Sequence, residues 1–317
     1  MKAVRIHSFG GPDVLTVENV PKPKPGEGEV LIKVAAASVN PIDYKLRSGE
    51  FRPAGMHIPL TLGRDVSGVV ESTGRDVQGV HSGDDVYAFL DPDHGGYAEY
   101  AIAGWDGVAA KPRHLDHLHA AAVPLAATTA WQGLFDHGRL HAGERVLIHG
   151  AAGGVGHFAV QFAKDRGAHV IVTAHQEDGD LLRQLGADEI IDYTRERFEE
   201  QVHDIDLVLD LVGGETQRRS WKVLRHGGRL VSTLQPPSQE EAARHNAHAE
   251  IFMAKPDRDE LAAISRMIDE GKVHVFLQQT LPLDEVRRAH DHMEHEHVRG
   301  KVVLEIGSHP PRVVQVH

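Results

Sequence analysis

The sequence predicts an α/β protein of about two domains, a β-rich first part followed by a doubly wound parallel sheet with helices on both faces. Three observations carry that expectation. The chain has 317 residues, 41% hydrophobic and 25% charged, enough for two cores. Its first 120 or so residues are short β-like runs punctuated by Gly, Pro and Asp. After Pro112 strand and helix signals alternate, the pattern of a parallel sheet.

The elements read in order as follows. KAVRIH, LTVENV, EVLIKVAAASV, SGVVEST, DDVYAFL and GYAEYAIA are the β-like runs, and VPKPKPGEGEV (20–30) is a polar connector within them. An Ala-rich helical stretch, HAAAVPLAATTAWQGLFDHG, opens the second part. ERVLIHG then reads as a strand, GVGHFAVQFAKDRG as a helix ending on Gly167, and AHVIVTA as a second strand. DLLRQLG is helical, EIIDY and DLVLDLV are strands, ETQRRSWKVLRHG is a helix and GRLVSTL the fifth strand. RDELAAISRMIDEG is a further helix, before VHVFLQQTLPL, a His-rich helix and a last strand GKVVLEI. Pattern alone leaves open whether that last part extends the α/β sheet or returns to the first domain.

Composition narrows the function classes. Formal charge is −12, with no Lys/Arg stripe for a phosphate backbone, so nucleic acid is not an expected partner. Cysteine is absent, which removes disulfides, thiolate nucleophiles and cysteine-ligated zinc. No stretch of about 18 apolar residues and no long apolar leader occurs, so no membrane span and a cytoplasmic enzyme or binding protein are expected. Histidine is abundant at 24 residues. His114, His117 and His119 do not share one helical face, and His292 and His295 only roughly do; both clusters, the second running over 290–297, read as solvated helix surface rather than metal sites.

The chemistry concentrates in GAAGGVG, between the first strand of the second part and its helix. Backbone N–H groups and the positive end of a helix there can hold a pyrophosphate, and Gly allows close approach. Ala151 stands where the first Gly of a GxGxxG fingerprint belongs; Ala152, Gly153, Gly154 and Val155 follow as cofactor-binding candidates. A dinucleotide fold that prefers NAD carries an acid at the end of its second strand, about 20 residues on. Here that place holds Thr173, Ala174 and His175, with Glu177 and Asp178 just beyond, which favours NADP(H) over NAD.

SVNPIDYKLRSG, LGRDVSGVV, GGYAEY, PLAATTAWQGL, AAGGVG, LGADEIIDY, DLVGG, HGGRLVS and HVRGKVVLEI occur in this order, nearly end to end. Together they resemble the medium-chain dehydrogenase/reductase superfamily, in its zinc-independent quinone oxidoreductase and enone reductase branch. The resemblance implies a GroES-like β domain over 1–122, completed by 270–317, with a Rossmann dinucleotide-binding domain over 123–269 and the cofactor between them. Zinc alcohol dehydrogenases of the superfamily use a Cys after the first domain's third strand and a His in a Gly-His-Glu motif. The corresponding places are 40–43 and Gly63-Arg64-Asp65, and a four-Cys lobe is missing. Without a Lewis acid, reduction of a conjugated C=C bond or a quinone fits better than alcohol oxidation, because oriented hydrogen-bond donors suffice to hold the developing charge.

In NPIDYK the resemblance implies Asn40 and Tyr44 as donors to a substrate carbonyl, and Lys45 as a polarising or ribose-contacting group. Capping, packing and solvation are their ordinary alternatives. It also implies Thr129 against nicotinamide, Tyr193 near the adenosine phosphate, and Leu234, Gly300 and Lys301 as further cofactor contacts. The expected activity is NADPH-dependent reduction of a small-molecule quinone or enone by hydride transfer, and the resemblance implies a homodimer. A non-catalytic NADPH-binding sensor or partner-binding protein on the same fold is the alternative.

Overall fold

The computed structural model describes residues 1–53 and 55–307, so the tail of the expected completing segment lies outside the described residues. The chain opens with β1 (Lys2–Ile6), β2 (Leu15–Asn19), β3 (Glu29–Val39), α1 (Pro41–Ser48), β4 (Leu60–Thr61) and β5 (Asp65–Thr73). β6 (Asp85–Phe89), β7 (Tyr100–Gly104), β8 (Val108–Ala110), α2 (His117–Ala121) and α3 (Pro124–Trp131) follow. The middle holds β9 (Arg145–His149), α4 (Gly156–Asp165), β10 (His169–Ala174), α5 (Gly179–Gln184), β11 (Glu189–Asp192), α6 (Phe198–Gln201), β12 (Ile205–Asp210), α7 (Gly214–Ser220), β13 (Leu224–Ser232), α8 (Gln239–Arg244) and β14 (His248–Ile251). α9 (Arg258–Asp269), β15 (Leu277–Pro282), α10 (Val286–His295) and β16 (Lys301–Glu305) complete it.

The described residues form two compact units: those within 1–125, 256–269 and 277–307, and residues 126–255 with 270–276. In the first, β3 organises a seven-stranded sheet in the order β15-β16-β3-β5-β6-β8. The first half of β3 also pairs β7, from Glu29↔Gly104 to Lys33↔Tyr100, and its second half pairs β16, from Val39↔Val302 to Ala36↔Glu305. The last strand therefore returns to the first domain's sheet. Val4, Ile32, Val66, Ala88, Val302 and Leu304 belong to one apolar core beneath it.

The second unit has a six-stranded, all-parallel sheet, β11-β10-β9-β12-β13-β14. Counted from β9 this is 3-2-1-4-5-6, the doubly wound order whose ligands lie at the strands' carboxyl ends. Near-continuous apolar runs such as VLI in β9 and VIV in β10 suit strands covered on both faces. β14 lies between the fifth strand and the following helix, where the sequence pattern marks no element; its HAEI is too short and mixed for a clear period.

The units divide differently from the expected 123–269 boundary. α9 stays with the β unit, where the Tyr87 hydroxyl donates to Leu261 O at 2.6 Å and Ser265 Oγ to Ala110 O at 3.2 Å. Residues 270–276 stay with the parallel sheet because the Gln161 side chain clamps the His274 backbone, accepting from its N–H at 2.7 Å and donating to its carbonyl at 3.0 Å.

Candidate functional site

The glycine turn begins one residue earlier than the fingerprint suggests. Gly150, directly after β9, takes φ +72°, a left-handed conformation that favours glycine. Its carbonyl accepts from Gly153 N–H at 3.2 Å, closing the turn. A Cβ on Gly156 would stand 2.2 Å from Gly150 O and 2.6 Å from Ala151 Cα, so only a hydrogen fits where α4 meets the strand. The N–H groups of Ala152, Gly154 and Val155 make no hydrogen bond with the described residues. Unpaired amides at the start of a ten-residue helix make an anion cradle. Gly153 is the exception among the four residues expected there, because its amide is spent on the turn.

Three of the other dinucleotide-side candidates, His175, Tyr193 and Leu234, lie just after strands of the parallel sheet. His175 follows β10 and caps a short turn, its Nδ1 accepting from Glu177 N–H at 3.4 Å. Tyr193 follows β11, is 54% exposed, and places its ring 6.5 Å from that of His175. Leu234 follows β13 and is exposed, near Gly213 after β12. Thr129 is buried in α3. Thr173 does not fit its expected role: it is buried, and its hydroxyl pairs with His149 Nδ1 at 2.8 Å. His149 is bonded at its other nitrogen to Ser220 Oγ at 2.9 Å, and burial pushes its pKa down to about 4, so the ring is a neutral structural link.

The β-unit candidates form a buried polar cluster. Asn40 begins α1, and its backbone N–H donates to Asp43 Oδ2 at 2.8 Å. Its side-chain amide donates to Asp65 Oδ2 at 2.8 Å and to Ser38 Oγ at 3.4 Å, while its Oδ1 accepts from Lys301 Nζ. Asp65 also accepts from Ser38 Oγ at 2.6 Å and from Leu125 N–H at 2.6 Å. Lys301, turned into β16 after Gly300 at φ +66°, donates to Val39 O at 3.3 Å and lies 3.7 Å from Asp65. Burial lowers the Lys301 pKa, with Asp65 and Asp43 opposing that shift.

Two expectations change here. Asn40, read as a carbonyl donor, and Lys301, read as a cofactor contact, are committed to each other and to Asp65, because buried charges and amides require partners. Asp43 and Asp65 are part of the cluster and were not among the site residues expected from sequence. An acid at the head of a strand-like run, as in DVSGVV, is the signal that points to Asp65. Burial raises the Asp43 carboxyl to about 6, against the hydrogen bonds from Asn40 and from the Tyr97 hydroxyl at 2.8 Å.

Tyr44 is half-buried, and its hydroxyl makes no hydrogen bond with the described residues. Burial, then the charges of Glu50 and Glu294, raise its pKa, so it remains a proton-bearing donor. Lys45 lies 3.8 Å from Glu50 and is also half-buried.

The places of the zinc ligands do not fit a metal. Arg64 is a permanent cation and cannot ligate one, and the Asn40 amide is spent. Among the described residues no group of three or more His, Asp or Glu is gathered to hold a metal. His114 lies 3.4 Å from Asp269, His119 2.8 Å from Asp116, His292 2.9 Å from Glu296 and His295 3.3 Å from Asp291. His290 departs from the expected solvated surface: it is fully buried, with Nδ1 3.1 Å from Arg47 Nη1. It faces α1 because Arg47, itself buried, reaches across to Glu294 of α10 at 2.7 and 2.8 Å.

Comparison with known proteins fits this geometry. Residues 26–113 match the alcohol dehydrogenase GroES-like domain and residues 185–304 the zinc-binding dehydrogenase domain. NAD(P)H oxidoreductase RTN4IP1, mitochondrial, of Mus musculus is 37% identical over 88% of this chain and 82% of that protein. The chain belongs to the medium-chain dehydrogenase/reductase superfamily. Within this superfamily it falls in the quinone oxidoreductase and enone reductase branch. The NADPH-dependent alkenal/one oxidoreductase, chloroplastic, of Arabidopsis thaliana is 35% identical over 96% of this chain and 79% of that protein. The structure of the quinone oxidoreductase from Coxiella burnetii superposes with a TM-score of 0.91 at 37% identity, covering 97% of this chain and 99% of that one. The superfamily member described here thus combines the branch's two domains with an arginine at a zinc-ligand place.

Proposed function

We propose that this oxidoreductase uses NADPH to reduce the conjugated double bond of an enone, or a quinone. The observation that carries the proposal is the set of three unpaired amides, Ala152, Gly154 and Val155, at the switch point of a 3-2-1-4-5-6 sheet whose second strand ends without an acid. Those amides would hold the pyrophosphate, and His175 with Tyr193 would flank the adenosine end, where the lack of a carboxylate at the strand end admits a 2′-phosphate. Bound NADPH supplies a hydride to the acceptor's β-carbon. Tyr44 would orient the carbonyl by donating its free hydroxyl proton as a hydrogen bond. Names of the relatives, quinone oxidoreductase and alkenal/one oxidoreductase, support the same acceptor class.

Loss of NADPH absorbance, followed with a panel of quinones, enones and simple alcohol–ketone pairs, tests the reading. Turnover of conjugated acceptors, faster with NADPH than NADH and unaffected by chelator, is expected. Tight NADPH binding with no turnover of any acceptor would instead favour the sensor alternative.

We also propose a homodimer joined along β14. This strand is an edge of the parallel sheet, and Ile251 and Met253 beside it are 42% and 58% exposed. An open edge with exposed apolar side chains is a template for a second copy. Light scattering should give twice the chain mass, and Met253→Glu should shift it toward monomer.

A further inference from the structure

We propose that Arg64 donates hydrogen bonds to the carbonyl oxygen of a neutral conjugated acceptor and holds the negative charge that reduction places there. This rests on the reductase reading above and adds a catalytic residue to it. Arg64 immediately precedes β5 and is only 8% exposed. Its Nε–H donates to Leu90 O at 2.8 Å, and the guanidinium lies 5.3 Å from the Phe89 ring centre, so the group is anchored at one end. Its two terminal nitrogens make no hydrogen bond or ion pair with the described residues, and they are not sealed from solvent.

No other cation or amide of the neighbouring cluster is in that condition. The Asn40 amide, the Lys301 ammonium, the Tyr97 hydroxyl and the Ser38 hydroxyl all have partners inside the protein. On a side chain this buried, two guanidinium nitrogens without protein partners are costly unless something uses them. Burial lowers the Arg64 pKa, while Asp43, Asp65, Asp91 and Asp93 act in the opposite direction. Those four carboxylates also select the ligand. Lys301 offsets Asp65, and the remaining three disfavour an acceptor that arrives as an anion, yet the site leaves a fixed donor for one that becomes negative only as it reacts.

Hydride from NADPH forms a C–H bond at the β-carbon, the C=C π pair moves to the bond between the α-carbon and the carbonyl carbon, and the C=O π pair moves onto oxygen. NADPH leaves as NADP⁺, and a solvent proton later adds at the α-carbon. Arg64 keeps its own proton throughout and only shares it with the oxygen, which strengthens as the charge grows.

Full-length Arg64→Met and Arg64→Lys are to be compared with wild type on a neutral alkyl vinyl ketone and on one bearing a carboxylate. NADPH affinity is read by fluorescence, and bound 4-nitrophenol by its absorbance, since the ionised phenol imitates the charged oxygen. Arg64→Met should lose about 10²–10³-fold in kcat/KM on the neutral ketone. NADPH affinity should not move, and bound 4-nitrophenol should need a higher pH to ionise. Arg64→Lys should recover part of both effects, and it decides the matter if the Met variant fails to fold. Wild type should prefer the neutral ketone. Unchanged kcat/KM and unchanged nitrophenol ionisation in the variants would overturn the role of Arg64 and leave the reductase reading intact. A wild type that binds NADPH but reduces neither ketone would overturn that reading itself.

Discussion

The two ends of the proposed chemistry are built in opposite ways. In the parallel-sheet unit, the candidate phosphate site is backbone left unpaired: three amides, a left-handed Gly150 and a Gly156 with no room for a side chain. In the β unit, the buried core of the polar cluster is side chains already paired, Asn40 with Lys301 and Asp65 and Asp43 with Tyr97, and only Tyr44 and the Arg64 terminal nitrogens beside it stay open. Unpaired backbone is cheap where water reaches it and recognises an anion; paired buried side chains fix a shape. The first region therefore carries affinity and the second carries rigidity, and substitutions should separate the two.

The largest break is on the rigid side. Lys301→Met leaves Asp65 buried without its cation and should cost about 3–5 kcal/mol of stability in urea unfolding. Adding Asp65→Asn should return part of that loss, since a neutral pair needs no counter-charge. Next comes pH. The Asp43 carboxyl is held at about 6 in the fold against 3.8 for the ordinary group, so its protonation favours the folded state. The ionised form costs about 3 kcal/mol above pH 6, a penalty that falls away as pH drops to about 4. Wild type should therefore gain on Asp43→Asn across that window. His149 and His290 run the other way: their pKa values, about 4 and about 3, lie below the ordinary 6.5, so the stability they contribute above 6.5 is lost as pH falls through it.

The unpaired side gives smaller, more selective effects. Val155 already has φ −83°, close to the proline range, so Val155→Pro removes one amide donor with little change of backbone. NADPH affinity should fall about 10–100-fold, as for a lost hydrogen bond to a charged group, while the unfolding midpoint holds. His175→Glu restores an acid after β10 and should turn the NADPH/NADH preference toward NADH by about tenfold. If Val155→Pro destabilised the fold and Lys301→Met spared it, the division of labour would be reversed.

Most of the fold was legible because β and helical periods differ and because the glycine run marks a strand-to-helix turn. β14 was not, since four residues of mixed polarity carry no period. The site is legible on its local side: GAAGGVG lies within one turn, and the structure differs only in placing the left-handed glycine one residue earlier and in spending the Gly153 amide on the turn. The pairing of Asn40 with Lys301 was hidden for a different reason. The two are 261 residues apart, and nothing local in NPIDYK says that its amide is already occupied. His290 was hidden likewise, because a histidine in a polar run gives no sign of the buried arginine it will meet. Arg64 is the reverse case, a charge in a strand-like run that packing leaves unused.

The pairing of β16 with β3 sets an order of events on the ribosome. Residues 126–276 are all made before Lys301, so the parallel-sheet unit can fold while the first sheet still lacks the neighbour of β3's second half. Until then Asp65 has no lysine, and the apolar face that Val302 and Leu304 will cover is open. The emerging first domain thus waits on β16 for its charge balance and for the cover of its core.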